Sequence, residues 1–80
     1  MPLKPSFKNK FKKQLSQLDK ADQKVVNTEI NSFLVGKKVD VLRLDGVKWR
    51  LKVDDWRIFF FYEGDLITFT ELKRRSSKTY

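Results

Sequence analysis

The stretch Val47–Tyr62, VKWRLKVDDWRIFFFY, decides the fold of this chain. In Val47–Val53 apolar and basic residues alternate with a period of two, which predicts a half-buried β-strand. Asp54–Asp55 is a two-residue connection to a second strand, Trp56–Tyr62. A turn this short fixes the antiparallel register, because residues at equal distances from it must face each other. The stretch therefore predicts a β-hairpin in a defined register.

This register gives the hairpin one apolar face and one charged face. The apolar face pairs Val53 with Trp56, Leu51 with Ile58, Trp49 with Phe60, and Val47 with Tyr62. The other face, called the cationic face below, pairs Lys52 with Arg57, Arg50 with Phe59, and Lys48 with Phe61. Alternate strand residues lie roughly 6.8 Å apart, a spacing that suits successive phosphates, and the two rings are candidate stacking surfaces for bases. Two interpretations stay open: an anion-binding face, or an ordinary half-solvated strand pair whose rings are covered by another element.

Two amphipathic helices are predicted before the hairpin. Ser6 is a candidate cap for the first helix, and Asp19 for the second. Gly36 ends the second helix. Their apolar stripes are Phe7, Phe11, Leu15 and Leu18 in the first helix, and Val26, Ile30, Phe33 and Leu34 in the second. Because the two helices join tightly, we expect an antiparallel helix hairpin.

The remaining segments complete an α+β layout in a single domain, residues 1–80. A turn at 63–65 leads into a further strand, Leu66–Lys73. Val39–Leu44 is compatible with an extended segment, and residues 1–4 are a candidate for a short edge strand. We therefore expect an N-terminal antiparallel helix hairpin packed on one face of a three- to four-stranded antiparallel sheet.

Composition narrows the chemistry that the chain can perform. Its 80 residues contain 18 Lys and Arg, 10 Asp and Glu, no His and no Cys, with a formal net charge of +8. Because the chain has no thiol and no imidazole, it cannot form a disulfide scaffold, use a Cys nucleophile or offer the commonest metal ligands. We therefore expect no metal and no cofactor. The positive charge favours a polyanionic partner. Its apolar runs are far shorter than a membrane span, so we expect a cytoplasmic protein without membrane contact.

The C-terminal segment is a second cationic feature of the sequence. It carries Lys73, Arg74, Arg75, Lys78 and a terminal tyrosine, Tyr80. A basic chain end of this kind is either a frayed, solubilising tail or an arm that binds phosphate through Arg and stacks or transfers protons through Tyr. Both interpretations remain open on composition.

Residues 47–65, from VKWRLKV to the acidic-Gly turn EGD, resemble the core signature of the RelE/ParE toxin superfamily, in which a strand of the form YRLRVGDYRI precedes a strand that ends in a basic segment with Tyr. Phe7–Leu18 is similar to the first helix of that family, and Leu44–Gly46 to its L-x-G turn. The resemblance covers nearly the whole chain. It implies a RelE-like fold and a toxin of a type II toxin–antitoxin pair.

The resemblance also implies an activity and a set of site residues. RelE-like members cleave mRNA in the ribosomal A site, where the ribose 2′-hydroxyl attacks the adjacent phosphate. By position, the catalytic set that this resemblance implies is Arg50, Lys52, Arg57, Arg74 and Tyr80. Arg74 is selected by counting back from Tyr80 and is expected near the leaving 5′-oxygen, while Arg75 fits an alternative alignment. Lys52 is then the candidate base, and Arg57 the group that holds the scissile phosphate. The accompanying RNA-binding set is Lys48, Phe59, Phe61, Lys73, Arg75 and Lys78.

The resemblance further implies partners and leaves other functions open. The expected partners are the ribosome with its mRNA, and an acidic antitoxin protein whose charge complements the +8 surface. A ParE-like toxin that inhibits DNA gyrase is one alternative function. A degenerate, non-toxic member that retains only antitoxin binding is another.

Overall fold

A computed structural model of the chain describes residues 4–74 and contains one five-stranded sheet with two helices. The elements in chain order are β1 Lys4–Phe7, α1 Asn9–Ser16, α2 Lys20–Leu34, β2 Val41–Asp45, β3 Lys48–Val53, β4 Trp56–Glu63 and β5 Leu66–Arg74. The strands lie in the order β1-β5-β4-β3-β2, and β1 runs parallel to β5 while every other pair is antiparallel. The α+β class is confirmed. None of the helices within residues 4–74 is long and apolar enough to span a membrane.

The predicted architecture is wrong in two respects. The sheet has five strands and is mixed, because β1 pairs Lys4–Phe7 in parallel with Leu66–Phe69. An N-terminal helix hairpin is not formed, because this strand comes first and the two helices pack mainly on different strands, α1 on β5 and α2 on β3. Of the candidate edge strand at residues 1–4, only Lys4 lies within the described residues, and it begins β1. Local periodicity does not extend this strand to Phe7, since its partner lies some 60 residues further along the chain. Pro5 is compatible with this position, because an edge strand can do without one N–H donor.

Two of the three predicted helix caps are observed. Ser6 does not cap α1: it lies in β1, and α1 begins after Lys8 without a side-chain cap. Asp19 does cap α2, because its carboxylate accepts a hydrogen bond of 2.8 Å from the backbone N–H of Asp22. At the other end Gly36 has a φ of +86°, and the N–H of Lys37 bonds the carbonyl of Ser32 at 2.9 Å, which ends the helix.

The hairpin register predicted from the two-residue turn is confirmed. The β3–β4 ladder pairs Lys48 with Phe61, Trp49 with Phe60, Arg50 with Phe59, Leu51 with Ile58, Lys52 with Arg57 and Val53 with Trp56. At the turn Asp54 has a φ of +50°, a left-handed conformation that Asp tolerates better than most side chains. This turn therefore holds Lys52 opposite Arg57.

Asp54→Val is expected to lower the free energy of unfolding by about 1–2 kcal/mol, because a β-branched side chain is strained at positive φ. Asp55→Val is the matched control, since Asp55 neighbours Asp54 in the turn and does not share its positive φ. Urea unfolding of both variants measures the difference. Equal losses in the two variants would contradict the assigned turn conformation.

A β-bulge sets which residues of β5 face which side of the sheet. The register shifts between Phe59, which pairs with Glu71, and Phe60, which pairs with Phe69. Thr70 is the extra residue, and its hydroxyl donates a hydrogen bond of 3.2 Å to the carbonyl of Phe59. The bulge thereby directs Leu72 into the core and Glu71 and Lys73 to the opposite side.

Helix α1 covers the part of β5 that the short strand β1 leaves unpaired. The Gln14 side-chain oxygen accepts a hydrogen bond of 2.7 Å from the backbone N–H of Leu72. Lys10, on the same helix, lies 3.5 Å from the Glu71 carboxylate. A helix thus replaces a neighbouring strand along this edge, which protects it from pairing with another chain.

The hydrophobic core lies between the helices and one face of the sheet. Its buried members are Phe11, Val26, Ile30, Leu51, Val53, Ile58, Phe60, Ile67, Phe69 and Leu72. Phe60 is central, with ring centroids 5.0 Å from Phe33 and 5.7 Å from Phe69. The apolar face predicted for the hairpin is therefore the core face, except at Val47, which precedes β3 and is 71% exposed. The cationic face is directed away from the helices.

Candidate functional site

The cationic face is a continuous array on the side of the sheet that the helices leave uncovered. Arg50 and Lys52 on β3 lie beside Phe59 and Arg57 on β4, and all four side chains are half-buried. Lys48 is exposed, and its Nζ atom lies 5.4 Å from the centre of the Phe59 ring. The sheet thus supports three cations of the hairpin at its centre and one cation over an aromatic ring.

Two guanidinium groups of this face have buried donors that bind no other group in the described part of the chain. The Nε atoms of Arg50 and Arg57 are inaccessible to solvent and have no hydrogen-bond acceptor among residues 4–74. The ion pairs within these residues, Lys10–Glu71 and Lys73–Glu71, include neither arginine. A buried donor without an acceptor is costly in a folded protein. An anion bound on this face would supply the missing acceptors.

Strand β5 extends the cationic face by two residues. Lys73 pairs with Arg57, so Lys52, Arg57 and Lys73 form one row across three strands. Glu71 pairs with Phe59 in the neighbouring row, and its Oε2 atom lies 3.7 Å from the Lys73 amine. The face therefore contains a fifth cation and a carboxylate.

Arg74, predicted to join the site, lies on the opposite side of the sheet. It pairs with Trp56, which belongs to the core face, and its guanidinium lies 5.7 Å from the centre of the Trp56 indole. The three other predicted residues of the C-terminal segment, Arg75, Lys78 and Tyr80, lie outside the described residues. The register thus brings Lys73, and not Arg74, beside Arg57.

Glu71 is the feature of this face that the sequence analysis missed. A signal for it is present in the strand, because Ile67, Phe69 and Leu72 are spaced by two and then by three residues. A change of phase within an alternating strand is typical of a bulge. Carrying that shift through places Glu71 and Lys73 on the cationic face.

The phenol of Tyr62 could take part in chemistry but does not belong to the site. Tyr62 packs edge-on against Trp49 on the core face at 5.3 Å between ring centres, and desolvation by burial raises the pKa of its phenol above the ordinary 10.0. Its phenol therefore keeps its proton at neutral pH, and any loss of stability from its ionisation appears only above about pH 10. Across the described range there is no group of three or more Asp, Glu, His or Cys residues placed to bind a metal ion.

Comparison with solved structures identifies the fold. No protein-family model and no curated protein sequence matches the chain. The archaeal RelE–RelB complex from Pyrococcus horikoshii OT3 contains a similar chain, with a TM-score of 0.80, 21% identity, and coverage of 96% of this chain and 99% of that one. The isolated RelE toxin of E. coli gives a TM-score of 0.76 at 10% identity, covering 92% of this chain and 85% of that one. The YoeB dimer of Staphylococcus aureus gives a TM-score of 0.70 at 14% identity, covering 95% of this chain and 100% of that one.

These likenesses define the class of structure. The chain has the RelE-like fold over nearly its whole length, as the resemblance of residues 47–65 predicted. At 10–21% identity the likeness establishes the fold, and the function must be argued from the site.

Proposed function

We propose that this protein is the toxin of a type II toxin–antitoxin pair and that it cleaves mRNA in the ribosomal A site. In this reaction the ribose 2′-oxygen attacks the adjacent phosphorus, the bond to the 5′-oxygen breaks, and the products carry a 2′,3′-cyclic phosphate and a 5′-hydroxyl. The proposal is supported by the RelE-like fold together with the cationic face.

The observation that carries the proposal is the pair of unsatisfied arginine donors. Arg50 and Arg57 each keep a buried Nε–H without an acceptor, on a face where Lys52 and Lys73 supply further positive charge. A phosphodiester offers the acceptor oxygens and the negative charge that such a group lacks. Phosphorane-like charge that develops during 2′-oxygen attack would be stabilised most by donors already held in place.

Each residue of the face has a role in this proposal. Arg57, between two lysines, holds the scissile phosphate, and Arg50 stabilises the charge that develops on it. Lys52, the candidate base by resemblance, is proposed here to stabilise that charge as well, since it lies directly opposite Arg57. Lys73 takes the place near the leaving 5′-oxygen that the sequence analysis gave to Arg74, since it pairs with Arg57. Lys48 and the rings of Phe59 and Phe61 contact the flanking nucleotides. Arg75, Lys78 and Tyr80 are proposed to complete the site from the C-terminal segment.

An acidic antitoxin protein is the proposed partner in the resting state. The Pyrococcus horikoshii relative was solved as a complex with RelB. A net charge of +8 on this chain favours an anionic partner, because complementary charge steers association and excludes wrong partners. We propose that this antitoxin blocks access of the cationic face to mRNA in the cytoplasm.

Binding of the protein to ribosomes or to single-stranded RNA is expected to weaken steeply with salt. Each neutralised phosphate releases counterions, so the log of the association constant should fall with log salt at a slope of about −0.7 per phosphate contact. Four or five contacts through the cationic face give a slope of roughly −3. Fluorescence anisotropy from 50 to 300 mM KCl, about a sixfold range of salt, measures it. A flat dependence would contradict phosphate binding by this face.

Cleavage is the test of the proposed function, and we expect it to require the ribosome. The described residues of the face include no imidazole, and they position the substrate mainly by charge. We therefore expect the ribosomal A site to orient the mRNA for attack. Purified protein is incubated with programmed ribosomes and, separately, with the same naked mRNA. Cleavage on ribosomes alone supports the proposal. Equal cleavage of naked RNA indicates another class of nuclease, and intact mRNA in both contradicts the nuclease.

Induction in growing cells distinguishes the alternatives. Arrest of translation with cut mRNA supports the nuclease. An SOS response with filamentation would indicate a gyrase inhibitor, and unimpaired growth would indicate a degenerate member that only binds antitoxin.

A further inference from the structure

We propose that the Glu71 carboxylate is the group that accepts the proton from the attacking 2′-hydroxyl. This inference rests on the proposed function and assigns a further catalytic residue to the same site. It starts from an imbalance in the face, whose other ionisable members are Lys and Arg residues, side chains that ordinarily carry a proton at neutral pH. The group that acts as the base must be unprotonated when the reaction begins.

Glu71 has the position that this role requires. It lies on the same side of the sheet as Arg57 and pairs directly with Phe59, which itself pairs with Arg50. In an antiparallel pair the diagonal neighbours on one face lie within reach of long side chains, so Glu71 and Arg57 can contact the same substrate group. The β-bulge at Thr70 produces this arrangement, since an uninterrupted ladder would turn Glu71 into the core.

The surroundings of Glu71 leave its oxygens able to take a proton. Its side chain is only 21% exposed, yet the two lysines that contact it are loose partners. Lys10 lies 3.5 Å from Oε1 and Lys73 lies 3.7 Å from Oε2, and both lysine side chains are more than 60% exposed. Contacts this long leave each Glu71 oxygen with lone pairs free to accept a hydrogen bond from a hydroxyl.

The step balances in protons and electron pairs. The Glu71 carboxylate takes the 2′-hydroxyl proton, and the 2′-oxygen uses the released electron pair to form its bond to phosphorus. The bond between phosphorus and the 5′-oxygen then breaks, and the leaving oxygen takes a proton from the Lys73 ammonium or from water. Solvent exchange afterwards returns both groups to their starting protonation states.

Because Glu71 is a negative group on a phosphate-binding face, its removal should have opposite effects on RNA binding and on catalysis. Glu71→Gln removes the charge and keeps the shape, so RNA binding should be unchanged or tighter. Cleavage on programmed ribosomes should fall by about 100- to 10,000-fold, the usual contribution of a positioned base. Glu71→Asp should recover part of the rate, and the acidic limb of the pH–rate profile should disappear in Glu71→Gln.

Two control variants separate catalysis from structure. Glu63→Gln makes the same charge change at the exposed end of β4 and should leave the cleavage rate within about twofold of wild type. Lys10→Ala removes the link between Glu71 and α1 and should also preserve most of the rate. If Lys10→Ala lowers the rate as much as Glu71→Gln does, the carboxylate anchors α1 and the inference is overturned.

The outcomes distinguish this inference from the function on which it rests. Cleavage by wild type with an unchanged rate in Glu71→Gln overturns the role of Glu71 and leaves the nuclease in place. Parallel losses of RNA binding and cleavage, with a pH profile like that of wild type, also overturn it. Absence of cleavage by wild type on ribosomes contradicts the nuclease and, with it, the role of Glu71.

Discussion

Arg57→Ala is expected to slow cleavage of mRNA on programmed ribosomes by about 100- to 1000-fold, or roughly 2.7–4 kcal/mol of transition-state stabilisation. Arg57 is the central residue of the row Lys52–Arg57–Lys73, and its buried Nε–H has no acceptor within residues 4–74. Removing it deletes a planar donor at the point where negative charge develops. Single-turnover kinetics measure the loss directly.

The fold of Arg57→Ala should survive, because the side chain faces away from the core and its loss removes repulsion with Lys52. Arg57→Lys keeps the charge without the planar fork and should fall between wild type and Arg57→Ala. Arg43→Ala is the matched control: it removes one Arg from β2, where Arg43 pairs with Trp49 of the core face. A normally folded Arg57→Ala that cleaves at the wild-type rate would remove Arg57 from the mechanism.

Phe60→Ala is expected to lower the free energy of unfolding by about 3–5 kcal/mol. Phe60 is 1% exposed and contacts the rings of Phe33, Trp49, Tyr62 and Phe69. A domain of this length has a total stability of roughly 4–12 kcal/mol, so the variant should be marginal or unfolded near room temperature.

Phe59→Ala is the control for this loss, because the same side chain is removed from the next residue of β4 on the opposite face. Phe59 is half-buried, so we expect a clearly smaller loss of stability, together with weaker RNA binding. Thermal melting of both variants tests the assignment of faces. Equal destabilisation, or a larger loss in Phe59→Ala, would show that the faces are reversed.

The hairpin was predictable because its information is local. A two-residue turn and an uninterrupted period of two determine which residues face each other, and the pairs Lys52–Arg57 and Arg50–Phe59 occur as predicted. The cap at Asp19 and the stop at Gly36 are also encoded within one turn of the helix they terminate.

The errors arise where partners distant in sequence decide the structure. Ser6 has the character of a helix cap and Phe7 continues the apolar spacing of a helix, yet pairing with Thr68 and Phe69 makes them a strand. Phe7 still packs on Phe11 and Phe69, at 5.6 and 5.2 Å between ring centres, so its apolar character is used in a different element. The periodicity of apolar residues therefore predicts which side chains are buried, but it does not by itself predict whether they lie in a helix or in a strand.

At the candidate site, the end of β5 likewise could not be predicted from local sequence alone. Counting back from the terminal tyrosine selected Arg74, whereas the bulge at Thr70 brings Lys73 beside Arg57 and Arg74 beside Trp56. A one-residue shift moves every following side chain to the other face. The bulge therefore decides which cation and which carboxylate join the site.

Mapping of the RNA ends made by the wild-type protein and by Arg57→Ala on programmed ribosomes is the most direct test of cleavage by the cationic face. We expect wild type to cut the mRNA within the A-site codon and to leave a 2′,3′-cyclic phosphate and a 5′-hydroxyl. We expect folded Arg57→Ala to make the same ends about 100- to 1000-fold more slowly. Uncut mRNA with wild type, a 5′-phosphate product, or an equal rate with Arg57→Ala would contradict cleavage by the cationic face.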